Sequence, residues 1–356
     1  MRVLITGVCG FVGATLARGL REGWPDLEIA GLDNFVRAGS ELNRGPLREL
    51  GVNLRHGDIR NPSDLEALPR CDWILDAAAE PSVLAGVDGR TSSRQLIEHN
   101  LGGTVNLLEL AKSWRSGFIM LSTSRVYSLG ELGRIPVEAR GDKFVPRIVE
   151  KEVQGLTVKG VAESFSTEPL LLLYGSTKRV SELLALEYAT AFDLPVFVNR
   201  CGVLAGAGQF GRVDQGIFSY WIHSYRARCL LKYIGFGGEG HQVRDCLHAG
   251  DLLPLIRKQM EATQKAAPRI VNCSGGLKQS ASLRQLSDWC EARYGRHEIG
   301  SEPQIRPFDI PWLVLDSALA QQVWDWRPET PLEAIWEEIA EHAERNPRWL
   351  EATMDS

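Results

Sequence analysis

Three short stretches carry residue types that can do chemistry together. Tyr174-Gly-Ser-Thr-Lys178 sets a phenol and an ammonium four residues apart, which on a helix places both on one face. A tyrosine near its ordinary pKa of about 10 is a poor base at neutral pH, and a neighbouring cation favours the phenolate. Leu121-Ser-Thr-Ser-Arg-Val-Tyr127 supplies hydroxyls at the end of an apolar run. Thr123 is the candidate partner that hydrogen-bonds a reacting oxygen and shares proton movement with Tyr174, with Ser122 and Ser124 as substitutes. Gly7-Val-Cys-Gly10-Phe-Val-Gly13 is a glycine turn between a strand-like run and a helix-like one. Its first glycine permits a tight turn, its second lets backbone approach a pyrophosphate, and its third allows close helix packing.

These stretches need a scaffold, and the chain provides its pattern. Apolar runs at 3–7, 27–33, 52–58, 73–78, 118–122 and 195–200 alternate with helical periodicity at Phe11 to Glu22, Arg94 to Trp114 and 174 to 193. That alternation predicts an α/β fold with a doubly wound parallel sheet. The glycine turn then follows the first strand. Asp33 ends the second, twenty residues beyond Gly13, where a carboxylate accepts hydrogen bonds from ribose hydroxyls and repels a 2′-phosphate. Arg37 nearby keeps the phosphorylated dinucleotide open. Asp58 and Ile59 close the third strand, where an acid and an apolar residue bracket an adenine. Thr123 follows the fifth, at the carboxyl edge of the sheet.

Length and composition narrow the classes. At 356 residues the chain exceeds one minimal domain. The expected division is a dinucleotide-binding part over 1–198 and a smaller α/β substrate-binding part over 199–356, with segments crossing back. Residues 131–168, rich in Gly, Pro and mixed charge, read as an irregular surface excursion serving as lid or rim. The net charge is -5, and Lys and Arg are scattered, so a nucleic-acid binder is not expected. Seven cysteines form no CxxC pair and no His-flanked spacing, which argues against zinc or a disulfide framework. Reduced thiols, the absence of an export signal and the lack of a membrane-length apolar run point to a cytoplasmic protein. No metal site is expected, and His241 and His248 read as structural hydrogen-bonders. The tryptophans at 221, 312, 324, 326 and 336 read as core.

Taken in order, TGVCGFVG, LDN, HGDIR, NLGGTVNLLE, STSRVY, YGSTK and VRDCLH resemble the extended short-chain dehydrogenase/reductase family over nearly the whole chain. Within it, GQFGRVDQG at 208–216 and GHQVRDCLH at 240–248 are nearest to epimerases of CDP-linked sugars. The resemblance implies a Rossmann domain, NAD as cofactor, a nucleotide-sugar substrate and a homodimer formed through helices such as 94–114 and 174–193. It assigns catalysis to Thr123, Tyr174 and Lys178. It places Gly7, Gly10, Phe11, Val12, Gly13, Asp33, Asn34, Asp58, Ile59, Ala77, Ala78, Ala79, Asn100, Tyr174 and Lys178 around NAD. Ser124, Arg125, Glu80, Gln209, Gln215, Arg244 and Arg306 would meet the substrate, the arginines because a guanidinium fork suits phosphate oxygens. Ser128 stands where many members have Gly, Glu80 where the epimerase has Gln, and Asn199-Arg-Cys-Gly202 is less polar than expected. The implied reaction is inversion at carbon 2 of a CDP-linked deoxyhexose by transient oxidation. Competing readings are a 4,6-dehydratase, a net reductase and a non-catalytic dinucleotide sensor.

Overall fold

Six mainly apolar segments and one exposed edge segment become the strands of one sheet; over its central strands both faces are covered, so neither face selects for polar residues. In the computed structural model these are β1 Arg2–Thr6, β2 Glu28–Asp33, β3 Asn53–His56, β4 Trp73–Asp76, β5 Gly117–Thr123, β6 Val196–Cys201 and β7 Ile270–Cys273. They form one parallel sheet in the order β7-β6-β5-β4-β1-β2-β3. The order reverses between β1 and β4, which opens a crevice at their carboxyl ends. This is a Rossmann-type doubly wound α/β fold. The structure describes residues 1–353 apart from 88, 90, 91, 148–152, 213, 214, 263–267 and 307.

Period-two alternation divides the core. Val3 and Ile5 face Leu16, Ala17 and Leu20 of the helix Phe11–Gly23, together with Leu255 and Ile256 of the helix Leu253–Glu261. Leu4 faces the other way, onto Leu107, Leu108 and Ala111 of the helix Gly103–Trp114 and Ala185 and Ala189 of the helix Leu172–Ala191. The helix expected over 94–114 is present in three pieces. Ser93–Ile97 and Gly103–Trp114 flank a π-helical turn at Glu98–Gly102 that contains Asn100.

Three expectations need correction. The boundary at 198 falls inside β6, and β7 returns from the second half to lie against it. Residues 131–168 are not an irregular excursion. Val137–Arg140 pairs with Lys143–Pro146 and Leu156–Thr157 with Gly160–Val161, while 148–152 lie outside the described residues. Leu132, Ile135, Val161 and Phe165 are buried there against Trp312, Leu313 and Val314. Their burial partners lie some 150 residues away, so no local pattern announces them. Finally, β7 itself was not among the expected strands.

The second half builds its own sheet from Val203–Ala205, Val243–His248, Ser280–Ser282 and Trp312–Leu313. Helices Ile217–Arg226, Leu283–Tyr294 and Leu332–Arg345 close a core around Trp221, Tyr225 and Trp336. All five of the named tryptophans are buried, as expected of core.

Candidate active site

The glycine turn is built for close approach. Gly7 has φ 60, and a Cβ there would lie 2.8 Å from the Ala78 Cα, so only glycine lets β1's end cross the Ala77–Ala79 segment. A Cβ at Gly13 would overlap the Gly7 carbonyl oxygen. Gly10 caps the helix that opens with Phe11 and Val12, and no side chain bonds to the first-turn amides. Those amides suit a pyrophosphate. Asp33 is buried at the end of β2, its carboxylate accepting from Cys9 N and Phe35 N, both at 2.8 Å. Burial raises its pKa and those amides oppose the rise. Arg37 Nη2 donates to the Phe210 carbonyl at 2.7 Å.

The adenine side departs from expectation in detail. Burial opposes the charge on Asp58, yet hydrogen bonds from Arg60 and Asn34 hold its carboxyl well below the usual range. Ile59 packs where Gly103 leaves room for it. Asn100 pins the site together. Its Oδ1 accepts from Glu80 N at 2.8 Å, and its Nδ2 donates to Glu80 O at 3.1 Å and Thr177 Oγ1 at 3.3 Å. Both amide hydrogens are therefore engaged in joining the loop after β4 to the helix that carries Tyr174. These residues fit a dinucleotide with a free 2′-hydroxyl.

Tyr174, Lys178 and Glu182 recur every four residues along Leu172–Ala191 and face the carboxyl end of β5. A Cβ at Gly175 would overlap the Arg125 carbonyl oxygen, so this glycine sets how closely the helix approaches the turn after Thr123. Thr123 Oγ1 accepts from Arg125 N at 3.2 Å, which leaves its own proton for another oxygen, and its side chain lies near enough to the Tyr174 phenol to favour the phenolate. The expectation that Lys178 holds Tyr174 below its ordinary pKa is corrected. Burial pushes the phenol up to about 12; Thr123 and Arg125 oppose this, while Cys201 and Glu80 reinforce it. Lys178 instead sits between Asp76 and Glu182, whose charges oppose the lowering of its pKa by burial. The structure brings the expected triad together, with Arg125 a leading charge acting on the phenol.

A buried network beneath the triad escaped the sequence reading. Glu182 accepts from Arg200 Nη2 at 2.7 Å and Nε at 3.0 Å, and from Ser122 Oγ at 2.6 Å. Arg200 Nη1 reaches the Tyr127 hydroxyl at 3.3 Å, which donates to Asn272 Oδ1 at 2.6 Å; Asn272 N in turn donates to Glu163 at 2.6 Å. One signal was available: Glu182 continues the four-residue spacing of Tyr174 and Lys178.

The residues expected to meet substrate divide. Glu80 and Arg125 lie within electrostatic reach of Tyr174, and Ser124 is buried at the same strand end. Arg244 joins them, its field acting on Arg125 while its Nη2 bonds Asp309 at 3.1 Å. Gln209 and Gln215 each carry a buried amide oxygen without a hydrogen-bond partner among the described residues; positions 213 and 214 between them lie outside those residues. Arg306 is half-buried, with its carbonyl accepting from Asp309 N at 3.2 Å, and nothing places its guanidinium at the triad. His248 meets Glu338 at 3.0 Å and His241 meets Glu239 at 3.3 Å, in keeping with structural roles. Among the described residues no His, Cys, Asp and Glu gather in a group able to hold a metal.

Comparison with known proteins follows the same lines. Residues 3–274 match the model of the NAD dependent epimerase/dehydratase family. The chain is 29% identical to CDP-paratose 2-epimerase of Salmonella typhi, over 92% of this chain and 95% of that protein. It is 25% identical to a probable UDP-glucuronate 4-epimerase of Rhizobium meliloti, over 99% of this chain and all of the other. Among solved structures, UDP-glucuronic acid 4-epimerase from Bacillus cereus in complex with UDP-glucuronic acid and NAD superposes with a TM-score of 0.78 at 22% identity, covering 97% of this chain and 99% of that one. At that identity the likeness speaks for the fold.

Proposed function

The chain belongs to the NAD-dependent epimerase/dehydratase family, with NAD as its cofactor, and from that premise we propose that it is a nucleotide-sugar epimerase inverting carbon 2 of a CDP-linked sugar. The observation that carries this is the Tyr174 phenol set beside Thr123 at the same sheet edge as the glycine turn and Asp33, which suit a dinucleotide. When bound, NAD supplies the acceptor and donor of the carbon-bound hydrogen. The chain's own groups do the rest. Tyr174 would act as the phenolate, which the positive nicotinamide of bound NAD and Lys178 would favour against burial, and take the proton of the sugar hydroxyl as the carbon is oxidised; Thr123, one lone pair engaged by Arg125 N, holds the reacting oxygen and relays the proton. Lys178, kept charged by Asp76 and Glu182, is placed to hold the ribose of NAD and add positive field. After the keto sugar turns, the same phenol returns the proton and the carbon emerges inverted.

The choice of a CDP-sugar and carbon 2 is supported by the 29% identity with CDP-paratose 2-epimerase over most of both chains. A 4,6-elimination finds less support, because Ser124 and Arg125 offer no carboxyl proton beside Thr123. Residues beyond Cys201 would form the sugar-nucleotide side, with Arg244, Gln209, Gln215 and Arg306 as its contacts. A homodimer through the helices over 94–114 and 174–193 is supported by exposed Ile97, Val180 and Leu183 along them. The seven cysteines, all free, are in keeping with a cytoplasmic setting. The test is NMR of purified protein with a panel of CDP-, UDP-, GDP- and dTDP-sugars. Inversion at carbon 2 of a CDP-sugar is the expected result, whereas loss of water or inversion only at carbon 4 would refute the assignment.

A further inference from the structure

Among the described residues the Arg125 guanidinium is in ion-pair contact with no carboxylate; Asp309 acts on it only through its field. Arg125 is half-buried beside Tyr174, and its guanidinium makes no hydrogen bond among those residues. Only its backbone is engaged, through the N–H that bonds Thr123 Oγ1 at 3.2 Å and the carbonyl that packs on Gly175. The cation whose field acts on Arg125 is Arg244, whose guanidinium is held by Asp309 Oδ1 at 3.1 Å, Ile310 O at 2.9 Å and Val243 O at 2.8 Å. Asp309 thus acts on both guanidiniums, while Asp245 acts on Arg244 as well. Burial and the field of Arg244 bring the Arg125 pKa down to about 10, opposed by Asp309 and Tyr174. A guanidinium left uncompensated in such a place destabilises the ligand-free protein, and its planar fork matches the oxygens of a phosphate or carboxylate.

We infer that Arg125, backed by Arg244, binds an anionic oxygen group carried by the substrate on the carbon next to the one that is oxidised. The inference rests on the epimerase reading, because Tyr174 marks the reacting carbon only if that reading holds. Two kinds of sugar nucleotide meet the requirement. Oxidation at carbon 2 places the reacting hydroxyl one carbon from the glycosyl phosphate, and oxidation at carbon 4 of a uronic acid places it one carbon from the C5 carboxylate. Oxidation at carbon 4 of a neutral hexose meets neither, since the phosphate then lies across the ring and would leave Arg125 unanswered.

The test is calorimetric binding of CDP-glucose, UDP-glucose and UDP-glucuronate to NAD-loaded wild type, Arg125→Gln and Arg125→Lys, with turnover of the same samples followed by NMR. Loss of one charge-assisted contact predicts binding weaker by about tenfold to a hundredfold in Arg125→Gln and a smaller loss in Arg125→Lys. A loss shared by every ligand the wild type holds identifies the phosphate; a loss confined to UDP-glucuronate identifies the carboxylate. Affinity unchanged within about twofold for all held ligands overturns the inference, even if epimerisation is observed. A wild type that holds none of the three overturns the epimerase reading and the inference with it. Removing a half-buried charge that holds no hydrogen bond should leave the thermal midpoint of Arg125→Gln equal or higher, so a lower midpoint there would make Arg125 structural and also overturn the inference.

Discussion

Replacing Glu182 by Gln tests the network that joins the helix of Tyr174 to the strand of Thr123. Glu182 is fully buried and receives two hydrogen bonds from Arg200, at 2.7 and 3.0 Å, one from Ser122 at 2.6 Å and a longer one from the more exposed Arg179 at 3.4 Å. Arg200 is itself 3% exposed. Gln preserves the shape but removes the charge and turns one acceptor into a donor, facing either a guanidinium or a hydroxyl. Arg200 then keeps one uncharged hydrogen bond to the amide oxygen, the Tyr127 hydroxyl and the Tyr127 ring, whose centroid lies 5.1 Å from its guanidinium carbon, but loses its counter-charge. Leaving one member of a buried pair unanswered costs about 3–5 kcal/mol. Removing both charges in Glu182→Leu/Arg200→Met removes the desolvation penalty as well, so the double variant should be more stable than the sum of the single losses implies. Equilibrium urea titration followed by tryptophan fluorescence measures each. Because Ser122 precedes Thr123, kcat should fall in Glu182→Gln while NAD content is retained. A single-variant loss below about 1 kcal/mol, or strictly additive losses in the double, would refute the reasoning.

Other outcomes are expected. Gly175→Ala places a methyl against the Arg125 carbonyl; the overlap should outweigh the gain of about 1 kcal/mol in helix propensity, so turnover and urea stability both fall, and a more stable, fully active variant would contradict the packing. Gly13→Ala overlaps the Gly7 carbonyl and should yield protein purified without NAD, read from its absorbance after denaturation. Removing the Arg125 charge takes away a field that lowers the Tyr174 pKa, so the alkaline rise of kcat should move to higher pH in Arg125→Gln; a shift to lower pH would contradict this. Burial holds His223 down to about 3 and His342 to about 4, so both are neutral in the fold and take up protons on unfolding below about pH 6.5. The stability they lend is present above that pH and is lost as pH falls toward their folded values, by up to about 2 kcal/mol each between pH 7 and 5. Thermal midpoints of wild type and His223→Gln across that range should converge as pH falls.

Much of the scaffold was legible because its signals are local. Six of the seven strands of the main sheet stand as apolar runs, and the glycine turn, Asp33 and the Tyr174–Lys178 pair each declare themselves within a few residues. What escaped is long-range. β7, four residues long, is fixed by pairing Cys273 with Cys201 across some seventy positions of chain. The hairpins at 137–146 and 156–161 depend on burial by residues 310–315. The phenol's environment could not be read from spacing either: a lysine four residues on is a helical neighbour by geometry, but burial and the turn holding Arg125 decide the field at the oxygen. Asn100 was legible as important and not as a pin, since its partners Glu80 and Thr177 come from other elements.

The central claim is that Tyr174 removes a proton from a sugar hydroxyl while the hydrogen on the same carbon leaves for NAD and returns. The most direct measurement follows that hydrogen: the CDP-sugar is incubated with enzyme in deuterated water and the inverted carbon is observed by NMR. The account predicts inversion with the original hydrogen retained in wild type and none in Tyr174→Phe that still holds NAD. Deuterium at the inverted carbon, or near-normal turnover by Tyr174→Phe, would contradict it.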